Sequence, residues 1–147
     1  MLEEKAQGLL SAALRHVRDA EHLLEGSPFQ SIDQAYHLAG FGPECARKAT
    51  IPARTYDQAI GHGVGRTSER ALDYALATNV SAHRYDLKEW RVRYPRLAAW
   101  SENARYDGTG KRQNADVAAL VSETREVVDR ITYALWADGL IPKAFSW

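Results

Sequence analysis

The residue pattern predicts an all-α protein, an up-down bundle of four to five helices. Two long stretches place apolar residues at the 4-3-4-3-4 spacing of a single helical face, and no stretch alternates as a half-buried strand does. Glycine and proline fall between the periodic segments, where a bundle has to turn.

The first helix follows from Ala6, Leu10, Ala13, Val17, Ala20 and Leu24, widened by Leu9, Leu14 and Leu23. Glu4, Arg15, Arg18 and Glu25 occupy the other face, and Gly26-Ser27-Pro28 supplies the stop. Residues 3–25 then make a rod of about 33 Å at roughly 1.5 Å per residue. Ser31-Ile32-Asp33-Gln34 is a capping-box pattern that opens a second helix. Its inner face is Ile32, Ala35, Leu38, Ala39, Ala46 and Ala49, and Ile51-Pro52 ends it. Gly40 and Gly42 inside it let another backbone approach closely, and Pro43 kinks or locally unwinds it.

Residues 53–66 read as a loop, with Gly61-His62-Gly63-Val64-Gly65 the loosest part. A third helix covers 68–78, and a second piece covers 81–94, stopped by Pro95. Residues 95–113 read as irregular, with a turn at Asp107-Gly108-Thr109-Gly110. The last helix has the clearest pattern: Val117, Val121, Thr124, Val128, Ile131 and Leu135, after an N-cap at Asn114. Gly139 and Pro142 end it and leave a short tail, 139–147. The whole chain, 1–147, reads as one domain.

Hydrophobic residues make up 45% and charged residues 26%, the composition of an ordinary globular protein. Nineteen basic and nineteen acidic side chains cancel, so attraction to nucleic acid or anionic lipid needs a local patch. One cysteine, Cys45, excludes an intrachain disulfide and suits a reducing compartment. The first residues lack a signal-peptide layout, and no apolar run nears the ~20 residues of a membrane span. The expectation is a soluble, cytoplasmic protein with no membrane partner.

His16, Asp19 and His22 sit at i, i+3 and i+6, a spacing that spreads the outer two too widely to converge on one ion. Solvated helix-face histidines are the plainer reading, and no metal is expected. Cys45, between Glu44 and Ala46, reads as core filling. No nucleophile elbow, phosphate loop or CxxC motif is present, and no cofactor is expected.

The informative cluster is basic. Arg84, Lys88, Arg91, Arg93, Arg96, Arg105, Lys111 and Arg112 are opposed only by Asp86, Glu89, Glu102 and Asp107. Tyr85, Trp90, Tyr94 and Trp100 are interleaved, the mix that single-stranded nucleic acid uses: cations for phosphate and rings for bases. Nucleotide or RNA contact would fall to Arg84, Lys88, Arg91, Arg93, Arg96, Arg105 and Tyr94. The bland reading is a solvated bundle edge whose aromatics face the core.

Tyr36-His37-Leu38-Ala39-Gly40-Phe41-Gly42-Pro43-Glu44-Cys45-Ala46-Arg47-Lys48-Ala49 resembles the second-helix signature of HEPN domains, the helical nucleotide-binding domains of prokaryotes and higher eukaryotes. That signature runs approximately Tyr-x-x-Ala-Gly-Tyr-x-x-Glu-Cys-Ala-x-Lys-Ala. Trp100 through Arg105-Tyr106-Asp107 resembles the Trp…Arg-Tyr stretch before the last helix of that family, and His62 falls where many members carry a histidine. The resemblance covers nearly the whole chain and implies a HEPN-like bundle with a dimer habit. Glu44 and Lys48, one turn apart, can pair. A buried Glu44 also needs a cation, and Arg105 is the expected bidentate partner, anchoring residues 95–110 on helix 2 beside Tyr106.

One departure matters. Ribonuclease members carry Arg-x(4–6)-His near the start of the last helix, and no histidine follows Arg105 here. The resemblance therefore implies a non-catalytic module that binds a nucleotide, RNA or a protein. Members lacking the motif often partner small nucleotidyltransferases or antitoxins in bacterial toxin–antitoxin and phage-defence systems. Two alternatives stand beside it. One is a metal-independent RNase toxin with a degenerate site of Arg105, Asp107 and His62 or His83; the other is a purely structural dimer. Trp136, Phe145 and Trp147, at or beyond the end of the last helix, predict a homodimer interface.

Overall fold

The computed structural model describes residues 1–26, 28–52, 54–55, 66–143 and 145. It is all-α, and no strand occurs among the described residues. α1 is Glu4–Glu25, α2 Ile32–Ala39 and α3 Phe41–Ala49. α4 is Arg66–Thr78, α5 Val80–His83, α6 Trp90–Arg93 and α7 Pro95–Ala99. A 3₁₀ turn at Glu102–Tyr106 precedes α8, Asn114–Ala137.

The core forms where α1, the α2–α3 pair and α8 pack against one another. α1 contributes Leu10, Ala13, Leu14, Val17 and Ala20, and α8 contributes Val117, Val121, Val128, Ile131 and Leu135, nearly the stripes expected from their spacing. Each fully buried Leu, Ile or Val contributes about 1.5–3 kcal/mol against exposure. Gly42 lies where the three rods meet. A Cβ there would stand 3.0 Å from Val17 Cγ2, 3.3 Å from the Ala13 carbonyl oxygen and 3.3 Å from Thr124 Cγ2. α1 and α8 are also clamped by Arg125, whose Nε and Nη2 donate to Glu21 at 2.8 and 2.6 Å. Ile51, Leu72, Ala75, Leu76 and Ala82 form a smaller cluster at the α3–α4–α5 end.

The interruption of the second helix has a definite cause. Proline has no N–H, so the carbonyl four residues before Pro43, that of Ala39, loses its helical donor. The ladder accordingly breaks at Gly40, between α2 and α3. The orphaned Ala39 carbonyl accepts instead from Thr124 Oγ1 of α8 at 3.2 Å, and Thr124 is completely buried. A backbone defect in one rod is thereby repaired by the side chain of another.

Gly26 ends α1 in the left-handed region, φ 84°, as its position predicts. Other local signals were spent differently. Ser31 is the N-cap of α2, but its hydroxyl caps nothing; its N–H instead donates to the Leu23 carbonyl at 3.1 Å, tying the connection to α1. Asn114 is the first residue of α8 rather than its cap, which is Gln113. The expected helix over 81–94 is two short pieces, α5 and α6, separated by turns and by Glu89 at φ 56°. A helix does end just ahead of Pro95, α6 stopping at Arg93 with Tyr94 as its C-cap, but Pro95 also starts α7 at its first position, where the missing N–H costs nothing. Residues 95–113, expected to be irregular, hold α7 and the 3₁₀ turn. The Gly61–Gly65 loop, His62 and Trp147 lie outside the described residues.

Candidate nucleic-acid interface

The turn-rich segment between α5 and α7 is pinned to α8 by tyrosines. Asn79 caps α5, its side chain accepting from the Ala82 N–H. Tyr85 turns into the core, and its hydroxyl donates to Asp138 Oδ2 at 2.7 Å. Burial, and then that bond to a carboxylate, push the Tyr85 hydroxyl up to about 12. Tyr94 is 1% exposed; its hydroxyl donates to Glu126 at 2.9 Å and accepts from Arg130 at 3.4 Å. Burial and the Glu126 bond raise its pKa as well. Trp90, also buried, lies against two guanidinia, those of Arg47 at 4.9 Å and Arg91 at 4.7 Å from the ring centre.

With its rings turned inward, the segment turns its cations outward. Arg84, Lys88 and Arg93 line an open groove of about 470 Å³ against α8, where Arg130 and Tyr133 complete the wall. Asp86 is the acidic residue of that lining. Arg84 pairs with Asp138 at 2.5 Å, and Arg130 with Glu126 at 3.4 Å. Lys88 and Arg93 form no ion pair among the described residues. Tyr133 is 61% exposed, and its ring contacts that of Trp136 at 5.9 Å between centres, tilted by 33°. Cations without internal partners next to an exposed ring can hold phosphate and stack a base.

The basic cluster legible in the sequence is therefore divided. Arg84, Lys88 and Arg93 share the groove, whereas Arg91 and the buried Arg47 both hold Asp73. Those two guanidinia keep the Asp73 carboxyl below its usual range against the opposing effect of burial, the largest single influence on it. Arg96 turns to Glu123 at 3.5 Å, and Glu123 also accepts from the Leu97 N–H at 2.9 Å. Arg112 holds Asp33 and Asp107. Tyr94, expected to touch a ligand, is closed off because its ring fills the core. Arg130 and Tyr133 were not singled out from sequence: they lie on a helix whose inner stripe explains its pattern, and nothing local marks its outer face.

Arg105 does not pair with Glu44. Lys48, one turn along α3, already holds Glu44 at 2.5 Å, while the 3₁₀ turn points Arg105 outward over the Tyr106 ring at 4.8 Å. Residues 95–110 are anchored on α2 by other groups. Trp100 Nε1 donates to the Tyr36 carbonyl at 2.9 Å, and the indole lies so close on Gly40 that a Cβ there would be 2.0 Å from it. Asp33 accepts from the Gly110 N–H at 2.7 Å and from Arg112 at 3.3 Å.

Among the described residues no hydrogen bond or ion pair joins the catalytic candidates Arg105, Asp107 and His83 to one another. Asp107 is bound by Arg112, which is the main cause of its lowered pKa, and His83 is exposed at the end of α5. His83 forms no hydrogen bond or ion pair with Arg105 or Asp107 among the described residues. Cys45 is half-buried, its thiol pushed up to about 11 by burial and then by Glu44, so it stays protonated at neutral pH. Phe145, expected at an interface, packs against the core instead. No helix among the described residues is long and apolar enough to cross a membrane.

Fold and groove together define a helical protein with a basic, tyrosine-edged concavity. Comparison with protein-family models, with curated proteins and with solved structures finds no match.

Proposed function

We propose that this chain is a non-catalytic, HEPN-like binding module whose basic groove takes single-stranded RNA. The observation that carries the reading is the pair Lys88 and Arg93, without ion-pair partners among the described residues, in a groove of about 470 Å³ edged by the exposed Tyr133. Neutralising two phosphates with these two cations gives a salt-dependent affinity, and the ring supplies stacking that tolerates any base. A nucleotidyltransferase or antitoxin partner and a place in a bacterial toxin–antitoxin or defence system belong to the same proposal, supported by the resemblance in the second helix. So does a homodimer, supported by the exposed Trp136 beside Tyr133.

The test is fluorescence anisotropy with a labelled, unstructured RNA at two salt concentrations. Wild type should bind more weakly as salt rises, and Lys88→Ala/Arg93→Ala should lower both the affinity and the salt slope, the latter by about 1.4 for two phosphates at ~0.7 each. Binding that is indifferent to salt, or unchanged in the double variant, refutes the groove. Light scattering of the same samples reads the dimer; a monomer mass at micromolar concentration removes that part.

A further inference from the structure

A second group of cations and donors lies on α1, α2 and the 3₁₀ turn and shares no residue with the groove. His16 and His37 come from different helices and both pack on Phe41, with ring centres 5.7 and 5.0 Å from it. Phe41 in turn meets Trp100 edge-on at 5.2 Å. His16 was expected to be a solvated helix-face residue like His22, but it turns inward.

Each imidazole has its Nδ1 shut off from solvent with no hydrogen-bond partner. An orphaned N–H is rarer in proteins than an under-satisfied lone pair, so the buried Nδ1 carries the lone pair and Nε2 carries the proton. Neither ring makes a hydrogen bond among the described residues, so Nε2–H is the donor each presents to solvent. Burial, foremost, and neighbouring guanidinia favour the neutral rings.

The surroundings are positive. Arg15 acts on His16, and Arg105 and Arg112 act on His37. Arg112 is engaged by Asp33 and Asp107, but Arg15 and Arg105 are exposed and form no ion pair among the described residues. Of the carboxylates that act on His16, Glu44 is held by Lys48, and Asp19 lies out on the exposed face of α1.

We propose that His16, His37, Arg15 and Arg105 form a phosphate-binding site in which the two imidazole Nε2–H groups and the two guanidinia receive the oxygens of one phosphate group. A carboxylate offers two oxygens to such a set; a phosphate offers more and carries charge enough for two guanidinia. Both rings pack on Phe41, and that contact restrains them before an anion arrives.

The site is tested by titrating inorganic phosphate into the full chain and following the histidine Cε1–H resonances. Those of His16 and His37 should shift together and saturate at millimolar phosphate, while those of His22 and His83 should not move with them. His16→Phe/His37→Phe keeps rings against Phe41 and removes both donors; each donor lost should weaken binding about three- to tenfold. Arg15→Gln/Arg105→Gln alters only exposed side chains and should weaken binding as much without touching the packing. Competition by an RNA with a 5′-phosphate, but not by the same RNA with a 5′-hydroxyl, identifies a polynucleotide end as the source. Competition by neither RNA identifies a small phosphate. No shift with inorganic phosphate or with the phosphorylated RNA, or equal affinity in a folded Arg15→Gln/Arg105→Gln variant, overturns the proposal.

Discussion

Thr124→Val isolates the repair that one helix makes to another. Thr124 is fully buried, and its hydroxyl is the donor for the Ala39 carbonyl that Pro43 leaves without a helical partner. Valine keeps the shape and removes that donor, so a buried carbonyl is left unsatisfied at a cost of about 1–3 kcal/mol. The methyl that replaces the hydroxyl returns roughly 0.5–1 kcal/mol of apolar burial. The net is about 0.5–2 kcal/mol, which for a chain of 147 residues lowers the melting midpoint by about 2–6 °C. Thr132→Val is the matched control: Thr132 is equally buried, but its hydroxyl donates at 2.7 Å to Val128, a carbonyl within its own helical ladder. Its loss should stay within about 0.5 kcal/mol because that acceptor keeps its backbone donor. Pro43→Ala restores an N–H in the same turn, so in that background the Thr124→Val penalty should shrink. The assay is urea unfolding of the single and double variants, analysed as a cycle. Equal losses for the two threonines, or a Thr124→Val cost unaffected by Pro43→Ala, would show that the hydroxyl does not serve the orphaned carbonyl.

Two further perturbations probe stability. Gly40→Ala places a methyl 2.0 Å from the Trp100 indole, displacing the ring and its bond to Tyr36; a loss of about 3 kcal/mol, with a changed near-ultraviolet circular dichroism, is expected, and a neutral result refutes the close packing. The second concerns pH. His16 and His37 titrate below the ordinary 6.5 in the folded chain, so the unfolded chain binds more protons as pH falls. Their contribution is complete above about pH 6.5 and is lost on acidification through the folded values. The melting midpoint of wild type should therefore fall between about pH 7 and pH 5 more steeply than that of His16→Phe/His37→Phe; parallel profiles would refute it.

How far the sequence could be read depends on the range of each interaction. α1 and α8 were legible to within a few residues because burial on one side of a rod imposes a local period. The break near Pro43 was legible for the same kind of reason, since a missing N–H is a property of the residue itself. Pro95 was legible as the end of α6 but not as the start of α7, because the same missing N–H suits both places and the chain beyond it decides whether a new helix follows. Ser31 kept its position but lost its capping role.

The candidate site was legible only in part. The excess of cations over 84–112 is in the composition, but which of them meet a partner is not. Asp73 and Glu123 claim Arg91 and Arg96 from other helices, leaving Lys88 and Arg93 in the groove. The Glu44–Lys48 pair was legible from its one-turn spacing and forms, whereas Arg105, expected to join the same carboxylate with a bidentate guanidinium, lies over Tyr106 instead. His16 and His37 drew no notice as a pair because they are distant in sequence and meet only across Phe41. The sequence by itself determined the rods, their greasy faces and the weak point in the second. Tertiary structure alone decided which polar group answers which, because hydrogen bonds and ion pairs form between atoms brought within about 3 Å, and that proximity arises only once the rods have packed.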